Sequence, residues 1–95
     1  MSIIPLGFMV MELGIISVTR KAAAELDRLQ ANDALTRHMT GDWGEVDEEY
    51  WKRNDEALEK GYPVVSSYLD RDFRRFLIVT EADRSATTIL LPEER

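Results

Sequence analysis

The chain contains no cysteine. Disulfide staples and thiolate metal sites are therefore excluded, a pattern that fits a reducing compartment and a cytoplasmic location. Histidine occurs once, and no recognised ligand spacing surrounds it, so neither a metal nor a cofactor is expected. A long uninterrupted apolar run is also missing. The stretch from Met1 to Val18 is broken by Pro5 and Glu12, and it lacks a basic start and a small-residue cleavage pattern. It reads as a lead-in and strand, neither a signal peptide nor a membrane helix. Basic residues are scarce, with 12 Lys and Arg against 18 Asp and Glu and a net charge of -6. That balance opposes binding to nucleic acid or an anionic membrane, and only Arg71, Arg74 and Arg75 cluster. What the chain does have is apolar content, 44% of 95 residues. This suffices for one small core, so residues 1–95 are expected to form a single domain, with 1–12 a loose N-terminal extension.

The periodicity predicts an α+β fold in which short helices pack on one face of an antiparallel β-meander of three to four strands. Leu13 to Val18 is short and β-branched, as a buried strand would be, and it is placed to complete a sheet at an edge. Thr19 can cap a first helix whose Ala22, Leu26 and Leu29 share a face. Asn32 is read as the cap of a second helix carrying Leu35 and Met39 and ending at Gly41. Asp47 caps a third from Glu48 to Lys60, with acids in its first turn, Lys60 in its last and Gly61 beyond. Its buried side is expected to carry Trp51, Leu58, Tyr50 and Ala57. The period then changes to alternation. Strands are expected over Tyr62–Leu69, Arg74–Glu81 and Thr87–Leu91, joined by turns at Asp70–Asp72 and Ala82–Ser85 and ended by Pro92. Turns this short make neighbouring strands antiparallel.

Two motifs stand out: His38-x-x-Gly41-Asp42-Trp43-Gly44, followed by Asn54, and Thr80-Glu81-Ala82-Asp83-Arg84-Ser85-Ala86-Thr87-Thr88, followed by Leu91-Pro92. From about Leu13 to Glu94 the chain resembles a family of small uncharacterised proteins common on bacterial plasmids and other mobile elements. Thr19-Arg20-Lys21 departs from the Thr-Pro-Gly turn usual in that family. Some members are named as type I restriction modification subunits, which would imply methyl transfer to DNA. This sequence has neither the length for a cofactor-binding α/β sheet nor its glycine-rich loop.

Each motif residue is open to two readings. His38 is a general base oriented by Asp42, or it ends a short helix where an imidazole meets the dipole favourably. Trp43 is presented by its glycine turn to a partner, or it plugs the core. Asp83 and Arg84 pair across a turn, or Arg84 holds a phosphate or a partner's carboxylate. Between Asp42 and Lys60 acids outnumber bases, a face that is either solvated or an imitation of DNA.

The leading expectation is a non-enzymatic protein-interaction module of a mobile element, an accessory or anti-defence protein. It would contact a protein partner through the exposed sheet face or through Trp43, Asp83 and Arg84, and a homodimer could form on a sheet edge. The rival is a small metal-independent ribonuclease of the barnase-like kind. There His38 would be the acid or base, Arg84 would hold the phosphate, and Ser85, Thr87 and Thr88 would donate to its oxygens. Nucleic acid is a partner only under that second reading, and a membrane under neither.

Overall fold

A computed structural model of the chain describes residues 9–95. Most of the segment expected to be a loose extension, residues 1 to 8, lies outside the described residues. Residues 9 to 12 are not loose. Val10 donates its amide to Met39 O at 3.0 Å, and the Met11 side chain is buried beside Trp43.

Among the described residues eight elements follow in order: β1 (Ile15–Val18), α1 (Arg20–Glu25), α2 (Arg28–Met39), α3 (Glu48–Lys60), β2 (Val64–Leu69), β3 (Arg75–Thr80), β4 (Ala86–Leu90) and a closing 3-10 turn (Pro92–Glu94). Local chemistry sets most of the boundaries. Thr19 Oγ1 accepts the Ala22 amide to start α1, and Asp47 Oδ1 accepts the Tyr50 amide to start α3. Gly61 ends α3 in the left-handed region, φ 73°, which a residue without Cβ enters without strain. The strand ends fall within two residues of the sequence reading, and the largest difference lies between the first two helices. The first helix stops at Leu26, and Asp27, not Asn32, caps the second by accepting the Leu29 amide. Leu29 therefore sits in the first turn of α2, 70% exposed, instead of continuing the apolar stripe of α1.

The sheet has strand order β1-β4-β3-β2. Its last three strands form the antiparallel meander, with Ser66 opposite Ile78 and Ile78 opposite Ile89. β1 joins at the edge, parallel to β4, with Ile16 level with Thr87 and Val18 with Ile89. The helical layer is the crossover that a parallel partner requires, so the fold is α+β with a mixed sheet.

Alternation sorts the side chains. Val64, Ser66, Tyr68, Phe76, Ile78, Thr80, Thr87 and Ile89 face the helices and are buried. One apolar cluster places Ala22, Ala31 and Ala34 against Tyr68, Phe76, Ile78 and Ile89; the other gathers Leu13, Ala57 and Val64 around Trp43. Leu35 packs against both. No helix among the described residues is long and apolar enough to cross a membrane.

Candidate functional site

His38 is reached by no solvent at all. Its position on the inner side of α2 points the ring into the sheet, where Nδ1 meets Ser66 Oγ at 2.5 Å and Nε2 meets Thr80 Oγ1 at 2.8 Å. Thr80 Oγ1 lies 2.7 Å from Thr87 Oγ1, which in turn is 2.7 Å from the Leu13 carbonyl. A carbonyl oxygen can only accept, so it fixes the direction of the whole chain. Thr87 donates to Leu13 O, Thr80 donates to Thr87, and the proton between ring and Thr80 must sit on Nε2. Nδ1 is left to accept from Ser66, which defines a neutral Nε2–H imidazole. Burial, helped by the charge of Arg84, lowers the His38 pKa to about 4 and keeps it neutral. Asp42 does not orient this ring. Its carboxylate is taken by Arg37, 2.8 Å from Nε, and by the Gly44 amide, so its pKa is held below the usual range by the guanidinium first and the amide second.

Arg84 is equally committed. Its Nη2 donates to Ala57 O at 2.9 Å, and its Nη1 donates to Tyr62 O at 2.7 Å and Glu81 O at 3.2 Å. A cation thus sits at the C-terminal end of α3, where the helix dipole favours it, and adds a charged donor to carbonyls such as Ala57 O that already accept backbone amides. Asp83 makes no pair with Arg84; it accepts the Ser85 amide within the turn. Arg84→Ala is expected to lower stability by about 1–3 kcal/mol, since three carbonyls lose a charged donor. Urea denaturation measures this, and a stability equal to that of the unaltered protein would remove the capping role.

The five residues of the nuclease reading are therefore dispersed. His38 and Thr87 lie inside the core, Arg84 caps a helix, and Ser85 is on an exposed turn. Thr88 faces the opposite side of the sheet from Thr87, beside Ser17 Oγ at 3.4 Å. Trp43, the expected partner anchor, is also fully buried. Its Nε1 donates to Asp55 at 2.9 Å, and its ring meets the His38 edge with centroids 5.7 Å apart. A small domain fills its core with its largest side chains, and this indole is unavailable to a partner.

The remaining motif residues shape the sheet. Asn54, on α3, is 2% exposed and uses its amide as a substitute strand: Nδ2 donates to Val65 O at 2.8 Å, and Oδ1 accepts the Val65 amide at 3.2 Å. Ser67, two residues on, donates its amide to Trp43 O and accepts the Glu45 amide through its carbonyl. The outer edge of β2 is thus closed at both positions. At the other edge, Ile15 donates its amide to Ser85 O, just before β4, and Thr19 donates to Ile89 O within it. Alternation then turns the amides and carbonyls of Ile16 and Val18 outward, and among the described residues nothing pairs with them.

The face of the sheet away from the helices carries Val65, Leu77, Val79 and Thr88, all half-buried, with Ile15 77% exposed at its end. A groove of about 400 Å³ lies on this face, floored by Val46, Tyr50, Val65 and Leu77. Arg75 forms its wall, donating to Glu45 O at 3.1 Å and to Ser67 Oγ. Sequence reasoning passed over Ser66, and it singled out Asn54 without assigning it a role. Ser66 carried a signal, being polar at the same parity as Val64 and Tyr68.

Comparison of the chain with family models, with curated proteins and with solved structures returns no match.

Proposed function

We propose that this chain is a non-enzymatic protein-interaction module, an accessory protein of a mobile element acting in the cytoplasm, whose partner docks on the open face of the sheet. The observation that carries this reading is the 400 Å³ groove floored by Val46, Tyr50, Val65 and Leu77. Apolar concavities of this size accept an anchoring side chain from a partner. The groove borders are mixed in sign, Glu45 and Asp47 against Arg75 and Arg95, which suits a peptide segment better than a polyanion. The motif residues support the same conclusion from the other side. His38, Trp43, Asn54, Arg84 and Thr87 all have internal partners, so the motifs read as those of a fold. The acidic side chains of α3 alternate with Lys52, Arg53 and Lys60, a solvated face rather than a continuous anionic stripe.

A photo-crosslinking residue at position 77, set against one at the exposed Glu56 of α3, tests the reading in cells carrying the protein. The expected result is a protein adduct specific to position 77, competed by excess unmodified chain. Leu77→Lys is expected to weaken capture of the purified partner at least tenfold, a loss of about 1.4 kcal/mol, while the melting temperature stays within a few degrees. Adducts equal at both positions, or hydrolysis of RNA that is lost in His38→Ala without unfolding, would sink the proposal.

A further inference from the structure

The two edges of the sheet are treated differently, and the contrast has a chemical meaning. A buried asparagine and a backbone bridge are spent on closing β2, while β1 carries no proline and no charge from Leu13 to Thr19. Edge strands that must stay single are normally blunted by such residues. Here Ile15, Ile16 and Val18 are instead 77%, 48% and 43% exposed.

We infer that β1 pairs antiparallel with β1 of a second copy, so that two four-stranded sheets join into one of eight across a two-fold axis at Ser17. Only Ile16 and Val18 turn their backbone groups outward. An antiparallel partner uses all of them when Ile16 of one chain lies opposite Val18 of the other, each such pair exchanging two N–H···O bonds. An isologous contact of this kind closes on itself and forms a dimer, not a filament.

Charge selects the same orientation. Glu12 precedes β1 and Arg20 follows it, both exposed, while the neighbouring Lys21 is taken by Glu93 at 2.9 Å. Antiparallel pairing sets Glu12 of one strand toward Arg20 of the other; parallel pairing would place like against like. On the helix side, the edge borders a groove of about 210 Å³ lined by Val18, Ala23, Leu26, Ala31 and Ile89. Ile16 of the second copy stands next to Val18 at the mouth of this groove. Four paired residues bury less than a standard interface of about 1,600 Å², so the affinity belongs in the micromolar range. This inference goes beyond the open-face reading and does not depend on it.

The absence of cysteine makes the test direct. The two Ser17 residues form a non-hydrogen-bonded pair with Cα atoms about 4.5 Å apart, within disulfide reach. Ser17→Cys is expected to oxidise to a covalent dimer at least tenfold faster than Glu56→Cys on α3. Sedimentation of the unaltered chain from about 5 to 500 μM is expected to show monomer passing to dimer. Ile16→Pro deletes one outward amide without touching the ladder to β4, so it should remain monomeric with an unchanged circular dichroism spectrum. A chain that stays monomeric throughout, with Ser17→Cys oxidising no faster than the control, overturns the inference. So does a monomer in which the Ile16 and Val18 amides are protected from hydrogen exchange, because the edge is then covered from within. Either result leaves crosslinking at position 77 unaffected.

Discussion

Lowering the pH from 6.5 to 4 is expected to remove roughly 3 kcal/mol of folding stability. The source is His38, whose pKa falls from an ordinary 6.5 to about 4 in the folded protein. Above pH 6.5 the ring is neutral in both states and the contribution is complete. Between pH 6.5 and 4 the unfolded chain takes up a proton that the folded chain refuses, so stability declines as the pH falls. Below pH 4 the folded state binds the proton too, and this group adds no further loss. Asp42 acts in a separate window. Its carboxyl is depressed chiefly by Arg37, so its contribution holds above the usual carboxylate range and fades only as the pH drops through the lowered value. The pair is nearly half exposed, which keeps that second effect small. Urea denaturation at pH 7 and pH 4.5 measures the His38 effect. His38→Ala is expected to cost about 3–5 kcal/mol, through a cavity, the Ser66 hydroxyl that loses the ring as its acceptor and the Thr80 oxygen that loses its donor. It should also abolish the slope between pH 6.5 and 4. A slope that survives the substitution would show that the network is not its origin. Thr87→Val, which breaks the same chain at its last link and leaves the ring in place, provides a milder second variant.

A comparable loss is expected at the turn between α2 and α3. Trp43→Ala should lower stability by about 3–5 kcal/mol, because the indole is fully enclosed and its nitrogen is bonded to Asp55. Gly44→Ala should do at least as much with a single methyl group. Gly44 holds φ 74°, and a Cβ there would overlap the Ser67 carbonyl and the Tyr68 ring. The bridge between Gly44 and Ser67 that closes β2 could not survive that overlap. Gly61 is the control. It has nearly the same backbone angle but faces open space, so Gly61→Ala should cost only about 1 kcal/mol. Thermal unfolding resolves the difference, at about 4–8 °C per kcal/mol for a domain of this size. Equal effects at the two glycines would mean that backbone strain, not the collision with Ser67, sets the penalty.

How much of this was legible in the sequence depended on the distance over which each decision is made. α3 was readable almost to the residue because Asp47, Glu48, Glu49, Lys60 and Gly61 all act within one turn of its ends. The meander was readable because alternation and short turns leave one geometry. The break between α1 and α2 was misplaced since Asp27 and Asn32 are both competent caps, and the spacing of Leu26 and Leu29 imitated a continuous stripe. Tertiary packing chose Asp27 by burying Ala31 and Ala34. The candidate site was less readable still. His38 finds its partners 28 and 42 residues away, and Arg84 finds Ala57 O 27 residues away. Spacing along the chain had suggested Asp42 as the partner of His38, four residues on, but Arg37 lies closer to that carboxylate. A histidine, an arginine and hydroxyls therefore looked like chemistry when each was serving the packing of the layers.

The parallel placement of β1 also governs the order in which the protein can assemble. Ser17 meets Thr88 across 71 residues, and Leu13 meets Thr87 across 74. The meander closes through tight turns, whereas the first strand must wait for nearly the whole chain before its neighbour exists. Contacts of such long sequence separation carry a large loop-closure entropy and slow folding. During synthesis the earliest strand among the described residues is thus the last to dock, and until β4 is made the backbone groups of Ile15 and Thr19 that it will engage stay in solvent, where other nascent chains compete for them. The Leu13 carbonyl, which ends the hydrogen-bond chain from His38, joins only at that final step.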